Sequence, residues 1–395
     1  MRMKYTDTSY KMLDPDNCAM CGMCLTYCPT YRISNNESES PRGRISIIHG
    51  LNESMLEPSE SALKHINSCT LCMACEKSCP AKVDFYTLMT DARDKYFKDQ
   101  NVFFKIKTNL ISMFLTNNFL KKISSTLIYF LNKKIFKSLN SRIFIFMNYV
   151  QKYNKHYDLD TPEIENDTIG IFTGCASDLF QKDVANSCIR ILKKHKINSK
   201  IIKNVKCCGS LDYNSGKIKS GVTHSKSAIK EFKSKKYKKV IGYASGCSSF
   251  INKYEENVNY QDATAYILDL LSNKKQNDYK ITKSNVCIHK PCTSRTAEID
   301  FNKLLKSLNS IPGINIFVFE DNYCCGAGAQ NLIHNKKNSR DMIESKIKFI
   351  KSNNIEYLLT CNIGCSLNFI DSINLNNYNN IQVKHPITFL NDRLV

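Results

Sequence analysis

The chain has 395 residues, of which 42% are hydrophobic, so it is long enough to form two or three compact domains with ordinary cores. Its formal net charge of +20 suits an acidic protein or an anionic membrane as partner. Nucleic acid is not expected, because the lysines are spread along the chain and no nucleic-acid-binding motif accompanies them. Residues 1–17 contain no apolar signal segment, so we expect a cytoplasmic protein whose 19 cysteines are reduced.

Two cysteine runs near the N-terminus share the spacing C-x2-C-x2-C-x3-C followed by proline, which is typical of bacterial [4Fe-4S] ferredoxins. The first run is Cys18, Cys21, Cys24 and Cys28, and the second is Cys69, Cys72, Cys75 and Cys79. Zinc usually requires two separated pairs instead, and a disulfide knot is the other alternative. In two-cluster modules the fourth cysteine of each run ligates the other cluster. We therefore predict two [4Fe-4S] clusters, one on Cys18, Cys21, Cys24 and Cys79, the other on Cys69, Cys72, Cys75 and Cys28.

Residues 101–155 interleave aromatic and aliphatic residues with lysines, in a pattern that predicts helices. No run of 18 apolar residues occurs, so the segment is not expected to span a bilayer. Two interpretations remain, namely helices packed on the neighbouring domains or a basic amphipathic surface lying on a membrane. The second would put the protein peripherally on the inner face of the cytoplasmic membrane.

After the acidic segment 158–168, short apolar strands alternate with lysine-rich helices, which predicts parallel α/β units. The predicted strands end at cysteines, and the same order occurs twice, with 32 residues from Cys175 to Cys207 and again from Cys292 to Cys324. Parallel sheets bind ligands beyond the carboxyl ends of their strands. The candidate cofactor-binding residues are therefore Cys175, Cys207, Cys208 and Cys247 in the first copy and Cys292, Cys324, Cys325 and Cys365 in the second. Two other cysteines, Cys188 and Cys287, are expected to be buried as small hydrophobic residues.

These patterns predict an α+β and α/β chain of four parts. A helical dicluster ferredoxin module covers 1–98, a basic amphipathic helical connector covers 99–160, and two duplicated parallel α/β units cover 161–275 and 276–395. Each unit contains a Cys-Cys-Gly string, and we call them the first and second CCG units.

Several strings resemble the cysteine-rich CCG-domain proteins, which include iron-sulfur subunits of heterodisulfide reductase, glycerol-3-phosphate dehydrogenase and glycolate oxidase. "CPTYR" with "PRGRI", then "CCGSLDY", "ASGC", "HKPCT", "CCGAGA" and "NIGC", look most like the glycolate oxidase type, whereas "HPITFL" looks closer to the glycerol-3-phosphate relative. The fuller family pattern closes each unit with C-x-x-C, but Ala244 and Asn362 stand at the first of those positions, and Cys361 lies one residue too early. An additional cluster, a zinc ion or a reduced thiol nest therefore all remain open for the CCG units.

The resemblance implies an electron-transfer subunit that receives electrons from flavoprotein subunits of the same complex and passes them toward a quinone-type acceptor. The implied reaction is glycolate oxidation, carried out on a partner chain, with lactate or glycerol-3-phosphate complexes as alternatives. A second hypothesis is a non-catalytic basic binding protein whose clusters only stabilise the fold.

The sequence contains no G-x-G-x-x-G, so no flavin or nicotinamide site is expected on this chain. We also expect no catalytic residue, since the histidines are scattered along the sequence. His289, three residues before Cys292, is expected to be a hydrogen-bonded histidine at a strand end.

Overall fold

The computed structural model describes residues 17–117, 119–121, 157, 167–205, 207–234, 237–254, 258–321, 323–328, 331–378 and 380–395. Most of the predicted connector, from residue 122 to 156, lies outside the described residues. None of the described helices is both long enough and apolar enough to cross a membrane.

The N-terminal module is helical, as predicted. Its helices are α1 (Pro29–Ser34), α2 (Pro41–Asn52), α3 (Glu60–Ser68), α4 (Ala74–Ser78) and α5 (Phe85–Lys95). Proline occupies the first position of α1 and α2, where a missing N–H costs nothing, and Ser40 caps α2 by accepting the Gly43 N–H at 3.0 Å. The helices enclose a core that includes Ile48, Ile66 and Met89, each completely or almost completely buried.

The first CCG unit alternates short strands with helices. Its elements are β1 (Ile169–Phe172), α7 (Cys175–Phe180), α8 (Lys182–Lys194), β2 (Ser199–Ile201), α9 (Ser210–Asn214), α10 (Ile218–Ser234), β3 (Lys239–Gly242), α11 (Ser245–Tyr254), β4 (Tyr260–Asp262) and α12 (Ala263–Leu270). The helix α6 (Val102–Thr116) precedes them, after the N-terminal module. The four strands are parallel, in the order β2-β1-β3-β4.

The second CCG unit repeats this topology. Its elements are β5 (Ser284–Ile288), α13 (Phe301–Asn309), β6 (Ile314–Val318), α14 (Asn331–His334), α15 (Lys336–Ser352), β7 (Tyr357–Leu359), α16 (Ile363–Leu375), β8 (Gln382–Lys384) and α17 (Pro386–Asn391). These strands are also parallel, in the matching order β6-β5-β7-β8. The predicted fold class and the internal duplication are confirmed.

The predicted strands were too long. β1 ends at Phe172 and β2 at Ile201, so Cys175 opens helix α7 and Cys207 lies in the loop beyond β2. Likewise, Cys247 and Cys365 lie in the first turns of α11 and α16. The physical reason is that the backbone leaves the sheet three to six residues before each of these cysteines, so the thiols are carried by the connecting loop or by the first turn of the following helix.

The two sheets share one core. Ile171 of β1, Ile241 of β3, Val286 of β5 and Leu359 of β7 belong to a single cluster of buried residues. At the end of the chain, Phe389 of α17 joins the same cluster. The two CCG units therefore pack together as one body, which fixes the relative position of their strand ends.

Helix α6 has an outward apolar side in addition to an inner one. Phe103 is 81% exposed, and Ile106, Leu110 and Met113 are each at least half exposed, whereas Thr108 and Ser112 face the protein and are buried. Phe114 and Leu115 of the same helix pack against a buried cluster, so α6 is apolar toward the protein as well as toward solvent. The segment was predicted to be helical, and α6 confirms this for 102–116.

Candidate metal-cluster sites

The four thiols predicted for the second ferredoxin cluster act on one another electrostatically. Cys69, Cys72 and Cys75 are buried around the start of α4, and Cys28 is buried directly before α1. Burial raises the pKa of Cys75 well above its usual value, and the charges of Cys72, Cys69 and Cys28 raise it further. The fourth cysteine of the first run therefore lies close enough to the second run to influence it, as ligand exchange between runs requires.

The thiols predicted for the first cluster lie at the edge of the same core. Cys18, Cys24 and Cys79 pack against it, whereas Cys21 is exposed. Burial raises the pKa of Cys24, and the charges of Cys18 and Cys28 add to this shift. Solvent therefore reaches this group of thiols more readily than it reaches the second.

Buried thiols that lie close together and have raised pKa values are suited to binding a positively charged metal ion or cluster. Several thiolates in one buried place repel each other, whereas a metal ion or iron-sulfur core supplies the positive charge that deprotonates and holds them. Backbone amides add to this fit, since the Leu71 N–H lies 3.4 Å from Cys69 Sγ. The donor set of the ferredoxin runs, all thiols at ferredoxin spacing, is therefore suited to [4Fe-4S] clusters.

A buried ion-pair network supports Cys28. Arg44, 1% exposed, pairs with Glu39 at 2.5 Å and donates to the Thr30 hydroxyl at 3.0 Å. That hydroxyl lies 3.1 Å from Cys28 Sγ. His65 Nδ1 completes the network 2.7 Å from the second Glu39 oxygen. Arg44 of the "PRGRI" string therefore has a structural role, because it holds the Thr30 hydroxyl that lies beside the predicted ligand Cys28.

A second buried arginine, Arg93, connects the ferredoxin module to the first CCG unit by hydrogen bonds. Arg93 donates to the Cys69 carbonyl at 2.7 Å and to the carbonyl of Asn214, the last residue of α9, at 2.8 Å. Burial lowers the pKa of Arg93 to about 10. Burial also raises the pKa of Cys69, an effect that the positive charges of Arg44 and Arg93 oppose. Two buried cations therefore stabilise negative charge at this predicted ligand.

The first CCG unit gathers its four candidate thiols. Cys207 Sγ lies 3.8 Å from Cys175 Sγ, and the adjacent Cys208 thiol contacts that of Cys247. The chain can bring paired cysteines together here because Gly209 adopts φ +91°, and a Cβ at that position would lie 2.0 Å from the Gly221 carbonyl oxygen. Its N–H points at Cys207 Sγ, 3.3 Å away.

The second CCG unit gathers its thiols in the same way. Cys325 Sγ lies 3.0 Å from Cys365 Sγ, and the Cys324 thiol contacts Cys292. Gly326 has φ +81°, and its N–H lies 3.4 Å from Cys324 Sγ, which repeats the geometry of the first unit. The duplication thus extends from the sheet to the thiol-bearing turns.

The ferredoxin module and the second CCG unit meet at their cysteines. The Cys72 thiol contacts the Cys324 thiol. This contact is the main cause that raises the pKa of Cys72 well above its usual value, and burial is the second cause. Nearby, Arg295 donates to the Cys72 carbonyl at 3.3 Å and Asn331 to the Ser68 carbonyl at 2.7 Å. A predicted cluster ligand therefore adjoins the second unit's group of thiols directly.

Asn362 links the two CCG units at one of the positions where the fuller family pattern has cysteine. Its side-chain oxygen caps α16 by accepting the N–H of Gly364 at 2.9 Å, and its amide donates to the hydroxyls of Thr293 at 3.1 Å and Ser245 at 3.3 Å. The Ser245 N–H in turn donates to the Cys361 carbonyl at 3.1 Å. The position thus has a capping and joining function that a thiol would fulfil less well.

His289 lies beside the thiols of the second CCG unit, and the sequence did not predict it as a ligand. The ring of His289 lies with Cys325 and Cys365 so that the ligand atoms of all three are within 4.8 Å of one another, and all three side chains are buried. Its Nδ1 is 3.0 Å from Thr360 Oγ1, so the expected hydrogen bond at a strand end is present, and burial lowers the pKa of His289 to about 3. The position three residues before Cys292 was the only available sequence signal.

The cysteines expected to be structural are buried within the fold. Cys188 lies in the middle of α8 and Cys287 in β5, and both have no exposed surface. Cys361 is also buried, beside Ala297 and Ile299.

Known proteins match this arrangement of domains. The profile of the 4Fe-4S dicluster domain matches residues 14–83, and that of the cysteine-rich domain matches 169–252 and again 286–370. The chain is 26% identical over 390 residues to the "Probable glycolate oxidase iron-sulfur subunit" of Bacillus subtilis, covering 89% of this chain and 87% of that protein. It is 22% identical over 367 residues to the "Glycolate oxidase iron-sulfur subunit" of Escherichia coli, covering 88% of each. "Lactate utilization protein A" of Oceanobacillus iheyensis is 28% identical over 220 residues, covering 51% of this chain and 87% of that protein.

Proposed function

Because this chain belongs to the family that joins a 4Fe-4S dicluster domain to two cysteine-rich domains, the family of the glycolate oxidase iron-sulfur subunits, we propose that it is the electron-transfer subunit of a flavin-dependent glycolate oxidase complex. Flavoprotein partners oxidise the 2-hydroxy acid, and this chain connects them to a quinone-type acceptor. Bound [4Fe-4S] clusters supply one-electron transfer. The chain's own residues hold the clusters, tune their surroundings and set the distance between neighbouring sites.

The proposed ligand sets are those expected from the exchange of the fourth cysteine. Cys18, Cys21, Cys24 and Cys79 hold one cluster, and Cys69, Cys72, Cys75 and Cys28 hold the other. The charges of Cys28 and Cys24 both raise the pKa of Cys75, so the two runs lie beside each other, as the exchange of the fourth cysteine requires. The exposure of Cys21 supports an outer position for the first set, where a partner protein can approach.

One observation carries the proposal of electron transfer through the chain, namely that the second CCG unit docks on the second ferredoxin run, where Arg295 donates to the Cys72 carbonyl at 3.3 Å and the thiols of Cys72 and Cys324 interact. A group held by the second ferredoxin run would lie directly against any group held by the second CCG unit. A cluster that only stabilised a fold would not require such a contact. The buried charges of Arg44 and Arg93 beside Cys69 would favour added negative charge at this point.

A lactate-oxidising complex is the second candidate. It is favoured by the likeness to the lactate utilization protein, which covers 51% of this chain and 87% of that protein. The substrate would be bound by a partner, so the residues described above serve either reaction.

We further propose that α6 contacts an anionic membrane or an acidic partner. The support is its outward apolar side, together with the sequence from residue 100 to 157, which contains lysines and arginine but no aspartate or glutamate. A peripheral position at a membrane would bring the chain close to a lipid-soluble quinone.

The experiment that tests the function uses the complex purified without oxygen. Glycolate, lactate and glycerol-3-phosphate are added separately, and the bleaching of the iron-sulfur absorbance is followed. Bleaching by glycolate supports the proposal, and bleaching by lactate alone supports the second candidate. Absorbance that no hydroxy acid bleaches, while dithionite does, would contradict the proposal. The Cys75→Ser variant serves as a control for the origin of the signal.

A further inference from the structure

A histidine ring lies among the thiols of the second CCG unit. The ligand atoms of His289, Cys325 and Cys365 lie within 4.8 Å of one another, with all three side chains buried. We propose that His289 is a metal ligand, and that the second CCG unit holds a divalent, thiophilic ion, Zn²⁺ or Fe²⁺, in a mixed cysteine–histidine site. This inference rests on the proposal that the second unit's thiols hold a metal, and it adds the nitrogen ligand.

The hydrogen bond of His289 suits this task. Its Nδ1 lies 3.0 Å from the buried hydroxyl of Thr360, so Nε2 is the ring nitrogen that remains available to a metal. Metal-binding histidines usually donate their second ring N–H to such a partner, which fixes both the tautomer and the ring orientation. The backbone holds the residue too, because the His289 N–H donates to the Leu359 carbonyl at 2.9 Å. Thr360 is therefore a positioning residue for the proposed ligand.

Further thiols are close enough to complete the site. The Cys324 thiol contacts those of Cys325 and Cys292, so three protein ligands and a thiol as the fourth are available without rearranging the fold. Tetrahedral sites with both thiolate and imidazole ligands are typical of zinc, and thiolate with imidazole also suits iron. An iron ion here could pass electrons on from the ferredoxin side, whereas Zn²⁺, which has no redox chemistry, would only hold the thiols in place. One neutral imidazole in place of a thiolate lowers the negative charge of the ligand set.

The first CCG unit lacks this ligand. Phe172 lies three residues before Cys175, as His289 lies three residues before Cys292. Its ring packs in the core against Phe232, with 5.3 Å between centroids. The duplicated sites therefore differ in chemistry, and the histidine is in the unit whose Cys324 contacts Cys72.

The test compares metal binding in full-length variants purified without oxygen. His289→Phe copies the first unit, His289→Cys restores a ligand, and Cys287→Ala is a matched control, because it changes a buried group two residues away. Iron and zinc are counted against acid-labile sulfide, since a single ion adds metal without sulfide. Zinc X-ray absorption, or absorption after cobalt substitution, then reports nitrogen in the ligand set.

We expect the wild type and Cys287→Ala to hold about one ion beyond the sulfide-matched iron, with a nitrogen ligand. His289→Phe should weaken this ion about tenfold or more, and His289→Cys should keep it with sulfur ligation only. Unchanged sulfide in all variants shows that the ferredoxin module is intact.

Retention of the ion by His289→Phe, with the wild-type spectrum, would overturn the inference. If Cys325→Ser loses the ion while His289→Phe keeps it, the site is made of thiols only, and the proposed function stands without the histidine. Absence of any sulfide-free metal in the wild type would also overturn the inference.

Discussion

The thiol of Cys72, in the second ferredoxin run, contacts the thiol of Cys324, in the second CCG unit. The equivalent residue of the first unit, Cys207, has its close contact with Cys175 inside its own unit. The ferredoxin module thus touches the two duplicated sites differently. It reaches the first unit through Arg93 and the Asn214 carbonyl, and the second through thiols.

This difference predicts unequal effects of one substitution made at two equivalent positions. Cys324→Ser should slow electron delivery to quinone about tenfold or more, and more than Cys207→Ser, because only Cys324 adjoins a ferredoxin ligand. The assembled complex is assayed with quinone and, as a control, with a dye that accepts electrons directly from the flavin. Equal effects of the two variants on quinone reduction would argue against a route through Cys324.

If the fourth cysteine of each run binds the cluster of the other run, its substitution should damage that other cluster. Cys79→Ser should alter the cluster held by Cys18, Cys21 and Cys24, whereas Cys28→Ser should alter the cluster of the second run. Paramagnetic resonance of the reduced variants distinguishes the two signals. The assignment fails if each substitution changes only the signal of its own run.

The network behind Cys28 predicts a large loss of stability for one glutamate. Glu39→Gln removes the carboxylate that pairs with the buried Arg44, and an uncompensated buried charge costs about 3 kcal/mol of unfolding free energy. Glu37→Gln is the matched control, because its partner Arg42 lies at the surface, and it should unfold close to the wild type. Denaturant unfolding followed by circular dichroism measures both. Equal midpoints for the two variants would contradict the importance of the network.

The outward apolar side of α6 predicts salt-sensitive binding to anionic vesicles. Replacing Phe103 and Leu110 by serine should weaken co-sedimentation, because both insertion and charge attraction contribute. Asn109→Ser, an exposed polar change on the same helix, should bind like the wild type. Failure of the wild type to bind vesicles, with retained binding to the partner subunits, would assign α6 to a protein interface.

The sequence was most informative where spacing determines chemistry. The intervals within the two ferredoxin runs and between the repeated Cys-Cys-Gly strings predicted the dicluster module, the duplicated α/β units and the groups of thiols at the sheet edge. These are local patterns, and each follows from the geometry of a short chain segment.

The rest depends on how distant segments pack. The contact of Cys72 with Cys324 requires docking of one domain on another, and the position of His289 beside Cys325 and Cys365 requires two loops and the start of α16 to converge. Periodicity likewise predicted a helix at α6 but not which side it presents to the protein. The lengths of the strands were overestimated because a buried apolar residue in a loop, such as Ile202 or Val205 after β2, looks like one in a strand.

The most direct test of the central claim is the amount of iron and acid-labile sulfide bound by the full-length chain purified without oxygen. Two [4Fe-4S] clusters predict about eight sulfides per chain and at least about eight iron atoms, with an absorbance that glycolate bleaches in the assembled complex. A protein that holds zinc and no sulfide would contradict the account.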